Sequence, residues 1–117
     1  MSAITTHVLD TTRGLPAAGV AVILEEADKA VGAGGWRELG RGSTDADGRV
    51  RSLLSAGTPL ARGTYRLTFA TGAYFAAQGA AAFHPEVSIV FTVDEPTRHH
   101  HVPLLVAPFG YTTYRGS

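Results

Sequence analysis

Residues 65–69 read Tyr-Arg-Leu-Thr-Phe, and their alternation decides the fold class. Period two sets Tyr65, Leu67 and Phe69 on one face and Arg66 and Thr68 on the other, the pattern of a strand with one wet side. Residues 87–93, VSIVFTV, repeat it, with Val87, Ile89, Phe91 and Val93 inward and Ser88 and Thr92 outward. Working outward, residues 4–10 and 99–106 predict two further strands. Residues 20–24 form a nearly unbroken apolar run, which predicts a strand covered on both sides. Two weaker strands are expected at 35–42 and 49–54. Turn chemistry separates the runs at Arg13-Gly14-Leu15-Pro16, at Asp45-Ala46-Asp47-Gly48, at Gly63 and at Asp94-Glu95-Pro96. Only the alanine-rich segment 73–82 departs, and it predicts one short helix. Many short strands in a chain of 117 residues predict a single all-β domain over 1–117, an antiparallel sandwich without repeats or linkers.

The bulk numbers exclude several classes. Ten Lys and Arg balance ten Asp and Glu, so the chain has no net basic charge to attract nucleic acid or an anionic membrane, although the balance says nothing about where the charges lie. The absence of cysteine removes disulfides, thiolate nucleophiles and Cys-ligated zinc together, and it suits a reducing compartment. The start, MSAITTHVLD, carries neither a basic n-region nor a long apolar run. A cytoplasmic protein is expected.

The same period-two rule sorts the polar residues. His99 and His101 share a face with Pro103 and Leu105, while His100 points the other way with Val102 and Leu104. His7 shares a face with Thr5 and Leu9, and Arg49 follows the Gly48 turn directly. A His-x-His pair with His7 as third ligand could hold zinc. The same histidines could do acid–base chemistry, or be partly exposed strand residues bonded to local carbonyls. No carboxylate lies near them in sequence to fix a tautomer. There is no Gly-x-Ser-x-Gly elbow, no obvious pair of catalytic carboxylates, and Asp45-Ala46-Asp47-Gly48 lacks the rest of a calcium loop. The last residues, YTTYRGS, are unlike a frayed end: Tyr111, Tyr114 and Arg115 are side chains of binding surfaces.

Longer stretches carry a family resemblance. His7-Val8-Leu9-Asp10-Thr11, followed by GLPAAGV at 14–20, resembles the opening of the transthyretin-like family. The segments STDADGRV, GTYRLTFATGAYF and FHPEVSIVFTV occur in the family's order. The end, HVPLLVAPFGYTTYRGS, is similar to the closing signature of its 5-hydroxyisourate hydrolase branch, and the related hormone carriers lack Tyr114-Arg115-Gly116-Ser117.

The resemblance implies an eight-stranded antiparallel β-sandwich with one short helix. It further implies a homotetramer, a dimer of dimers with active sites at the interface between dimers. The implied reaction is hydrolysis of 5-hydroxyisourate to 2-oxo-4-hydroxy-4-carboxy-5-ureidoimidazoline, with no metal or organic cofactor. Carried over residue by residue, His7, Arg49 and His101 are catalytic, and Tyr111, Tyr114, Arg115 and Ser117 bind substrate. His7 is expected to be the general base, a role His101 could exchange with it, and Arg49 the oxyanion donor. One departure is visible: His100 stands where the family usually has tyrosine. Two other classes compete, a small-molecule carrier of the transthyretin type without catalysis and a structural sandwich module.

Overall fold

The alternating residues become the inner faces of two stacked sheets. The structure, a computed structural model, describes residues 3–28, 30, 32, 34–54 and 57–116. In chain order the elements are β1 (Ile4–Asp10), β2 (Leu15–Pro16), β3 (Ala21–Ala27), β4 (Trp36–Ser43), β5 (Arg49–Val50), β6 (Gly63–Phe69), α1 (Thr71–Ala76), β7 (Val87–Val93), β8 (His100–Ala107) and β9 (Gly110–Thr113). One sheet runs β2-β1-β8-β9, with β5 beside β2 on the free side of β1; the other runs β4-β3-β6-β7. Between them lie Ile4, Val8, Leu24, Leu67, Phe69, Val87 and Leu104, all essentially without solvent exposure. Burying each such side chain contributes about 1.5–3 kcal/mol, which the ordering entropy of the chain largely offsets.

Several expectations change in detail. The sandwich is antiparallel except at its centre, where β1 and β8 pair parallel with Ile4 opposite His100 and Asp10 opposite Val106. Among the described residues, seven strands of four or more residues are joined by two two-residue pieces, β2 and β5. The strand expected at 49–54 ends at Val50, because Leu53 and Leu54 turn into the core from a loop lying over β4. There the Leu53 carbonyl occupies the space a Cβ at Gly40 would need. The run at 20–24 is covered on one side only: Val22 and Leu24 are buried, Ile23 is half-buried and Ala21 is exposed. The helix begins two residues earlier than expected and stops at Ala76; Gly79, at φ +73°, takes the left-handed conformation that closes it.

A buried polar anchor ties this helix to β1. Asp10 is 1% exposed. Its Oδ2 accepts a hydrogen bond from the Tyr74 hydroxyl at 2.8 Å, and its Oδ1 accepts from the backbone N–H groups of Thr12 and Arg13. Burial, then the Asp10 bond, pushes the Tyr74 hydroxyl above the ordinary phenol pKa, so it remains a donor. Tyr74→Phe leaves one buried carboxylate oxygen without that donor. The expected cost is about 1–3 kcal/mol, read as a lower urea midpoint at unchanged m-value.

Candidate active site

Strand β1 carries its core on even positions, so Thr5, His7 and Leu9 face outward. Its two neighbours decide what surrounds them. On one side β5 sets Arg49 opposite His7. On the other, β8 sets His101 opposite Thr5 and Pro103 opposite His7. Strand pairing therefore gathers His7, Arg49 and His101 on one outer face although they are far apart in sequence.

The Asp45–Gly48 turn holds the Arg49 side of this cluster. Asp45 Oδ1 accepts from the N–H groups of Asp47 (2.9 Å) and Arg49 (3.0 Å). Gly48 sits at φ +78° and presses on β1, with its carbonyl accepting from Val8 N–H at 2.7 Å. A side chain at position 48 would collide with the Val8 carbonyl, so only glycine lets the turn lie this close. The Asp47 carbonyl is then 2.8 Å from His7 Nε2. A carbonyl can only accept, so Nε2–H donates, and neutral His7 keeps its lone pair on Nδ1.

His101 is held differently. Its Nδ1 lies 2.7 Å from the Thr5 hydroxyl, and the same oxygen lies 2.8 Å from His99 Nε2. From above, the C-terminal segment folds onto it: Gly116 N–H donates to the His101 carbonyl at 2.9 Å. A Cβ at position 116 would stand 2.5 Å from His101 Cδ2, so the backbone rests directly on the ring. Burial holds the His101 pKa below the ordinary histidine value, and the positive charge of Arg49, then of His99 and His7, lowers it further. His101 is neutral at neutral pH.

Tyr111 packs edge-on against His84, with ring centroids 5.3 Å apart. Tyr114 and Arg115 line a crevice of about 220 Å3 with Ile89, Phe91, His100, His101 and Val102, beside β7, β8 and β9. His100 does face away from His101: it is 3% exposed, and neither ring nitrogen has a hydrogen-bond partner among the described residues. Ser117 lies outside the described residues. Among those described, no three His, Asp or Glu side chains are arranged to hold a metal ion. The sequence reading named His99 in a His-x-His pair but did not join it to Thr5, and it gave Gly116 no role. Period two placed Thr5 on the face of His7, but only the β1–β8 register shows that it meets His101.

A two-sheet sandwich bearing histidines and an arginine on the outer face of one sheet defines a transthyretin-like protein. The chain belongs to the HIUase/transthyretin family, which matches residues 4–116. It is 49% identical to the 5-hydroxyisourate hydrolase of Caulobacter vibrioides, covering the whole of both chains. Among solved structures, it superposes on the 5-hydroxyisourate hydrolase of Klebsiella pneumoniae with a TM-score of 0.82 at 38% identity, covering 97% of this chain and 98% of that one. It also superposes on sea bream transthyretin in complex with thyroxine, with a TM-score of 0.87 at 34% identity, covering 98% and 95%.

The charge on Arg49 disfavours a second positive charge on His101, so removing it favours the imidazolium. Arg49→Met should raise the titration midpoint of His101, measured by NMR of the ring, and enlarge the protonated fraction near pH 6.

Proposed function

We propose that this chain hydrolyses 5-hydroxyisourate to 2-oxo-4-hydroxy-4-carboxy-5-ureidoimidazoline, with His7, Arg49 and His101 as the groups that act on the substrate. The observation that carries this reading is the shared outer face on which β1, β5 and β8 assemble the three residues. Ring opening adds water to a carbonyl carbon, forms a C–O bond and breaks the ring C–N bond. His7 takes the proton of the attacking water at Nδ1, the nitrogen left free by the Asp47 carbonyl. Arg49 donates to the oxygen that becomes negative, a contribution typically worth about 3–4 kcal/mol. His101 donates from Nε2 to the departing nitrogen. Water and side chains suffice for these steps, and no cofactor enters them.

Tyr111, Tyr114, Arg115 and Ser117 complete the pocket across subunits in a homotetramer of two dimers. Two features support assembly. The free edges of β7 and β9 lie on the same side of the sandwich, flanking the crevice, and an unpaired edge is a ready template for a second chain. Phe83 and Phe109 are exposed by 73% and 75% respectively. We place the protein in the cytoplasm, a reducing compartment that its lack of cysteine suits.

The decisive test is decay of freshly generated 5-hydroxyisourate, followed by ultraviolet absorbance. Wild type should exceed the spontaneous rate, and His7→Ala should lose about 10²–10⁴ of that rate. Wild-type decay equal to buffer would leave the family fold and favour a carrier using the same face. Independently, sedimentation at micromolar concentration should give four times the 12.3 kDa chain mass. A clean monomer would sink the shared pocket.

A further inference from the structure

The Thr5 hydroxyl sits between two imidazoles, 2.7 Å from His101 Nδ1 and 2.8 Å from His99 Nε2. A hydroxyl has one proton to donate, so at any moment it can donate to only one of the two rings and must accept from the other. Which way it points sets the tautomer of His101. When Thr5 donates to His101 Nδ1, the neutral ring carries its proton on Nε2. When Thr5 donates to His99 Nε2, His101 carries its proton on Nδ1 and its lone pair on Nε2. His99 is exposed to solvent; His101 is half-buried under the Gly116 backbone.

We propose that Thr5 and His99 are positioning residues that form a proton relay behind His101. The proposal deepens the hydrolase reading above and rests on it for its chemistry. The need for a relay follows from the burial of His101 and the charges around it. Burial acts most strongly against a positive charge there, followed by Arg49 on β5, His99 on the approach to β8 and His7 on β1. A neutral imidazole N–H is a very weak acid, so His101 can protonate the leaving nitrogen only if its other nitrogen is reloaded in the same step.

The step balances without another reactant. His99 begins as the imidazolium, having taken a proton from solvent, and donates Nε2–H to Thr5. As the ring C–N bond breaks, its electron pair stays on nitrogen and takes the Nε2 proton of His101. The Thr5 hydroxyl proton moves to His101 Nδ1, and the His99 Nε2 proton moves to the Thr5 oxygen. The relay ends with both rings neutral and Thr5 donating to His99. Return of a proton from solvent to His99, and reversal of the two hydrogen bonds, resets it.

Two measurements test this. In the free protein, ¹⁵N NMR of the histidine rings should show the tautomer of His101 switching from Nδ1–H to Nε2–H as His99 becomes protonated, with one shared midpoint. Thr5→Ser should keep this coupling and Thr5→Val should abolish it. A His101 tautomer indifferent to the protonation of His99 in the wild type overturns the relay. With substrate, Thr5→Val and His99→Gln should each lower kcat about tenfold or more, with KM within about twofold and recovery in Thr5→Ser. Wild-type kcat in Thr5→Val overturns the catalytic role. A wild type without turnover instead removes the hydrolase reading, while the ring spectra still decide whether the wire exists.

Discussion

The parallel register of β1 against β8 is the constraint on which both the core and the outer face depend. Seven consecutive pairs, from Ile4 with His100 to Asp10 with Val106, fix which residues of the two central strands point inward. A slip of one residue would turn Ile4, Val8 and Leu104 to solvent and bring His7 or His101 into the core. The free-energy cost of exposing those apolar side chains is therefore what holds the site's geometry. The same register also fixes the far side of β1, where β2 and β5 share its other edge and bring Arg49 beside His7.

One strand thus delivers adjacent histidines to opposite environments. His101 faces outward beside the Arg49 charge, and His100 faces the interior at the crevice. Burial, then the charge of Arg115, pushes the His100 pKa below the ordinary histidine value, so the buried ring is neutral. An imidazole without ring hydrogen bonds among the described residues behaves there as an aromatic side chain, beside Phe91 and Val102. That is compatible with its standing at a position where tyrosine is usual. The family contains both a hydrolase and a thyroxine-binding protein on closely superposable sandwiches. The sandwich alone therefore does not distinguish the two.

The sequence disclosed faces better than neighbours. Alternation placed Tyr65, Leu67, Phe69, Val87 and Val93 in the core correctly, because each strand's burial is a local property. It likewise separated His100 from His99 and His101. It could not show that β1 and β8 run parallel, since pairing direction depends on the path of the whole chain. Strand β9 went unread because Gly110-Tyr111-Thr112-Thr113 has no apolar alternation; its order comes from hydrogen bonds to β8. The helix limits were misjudged because alanine signals propensity without marking an end. Gly79, three residues inside the expected span, was the stop. At the site, the roles of His7, Arg49 and His101 came from motif resemblance, whereas the contacts of Thr5 with His99 and His101, and of Gly116 with His101, emerge only from atoms brought together across the sheet.

The two outer histidines are anchored by different kinds of oxygen, and the difference has chemical consequences. The Asp47 carbonyl has lone pairs and no proton, so it fixes His7 in one tautomer with a permanent lone pair at Nδ1. The Thr5 hydroxyl has both lone pairs and a proton, so it accommodates either tautomer of His101. A base benefits from the first arrangement, because its lone pair is always presented at the same atom. A neutral acid benefits from the second, because it must regain at one nitrogen what it gives up at the other. Two residues of the same type, with rings on the same sheet face, thereby match the two different roles proposed for them. The distinction comes from a turn held by Gly48 and a hydroxyl placed by strand register, not from the imidazoles themselves.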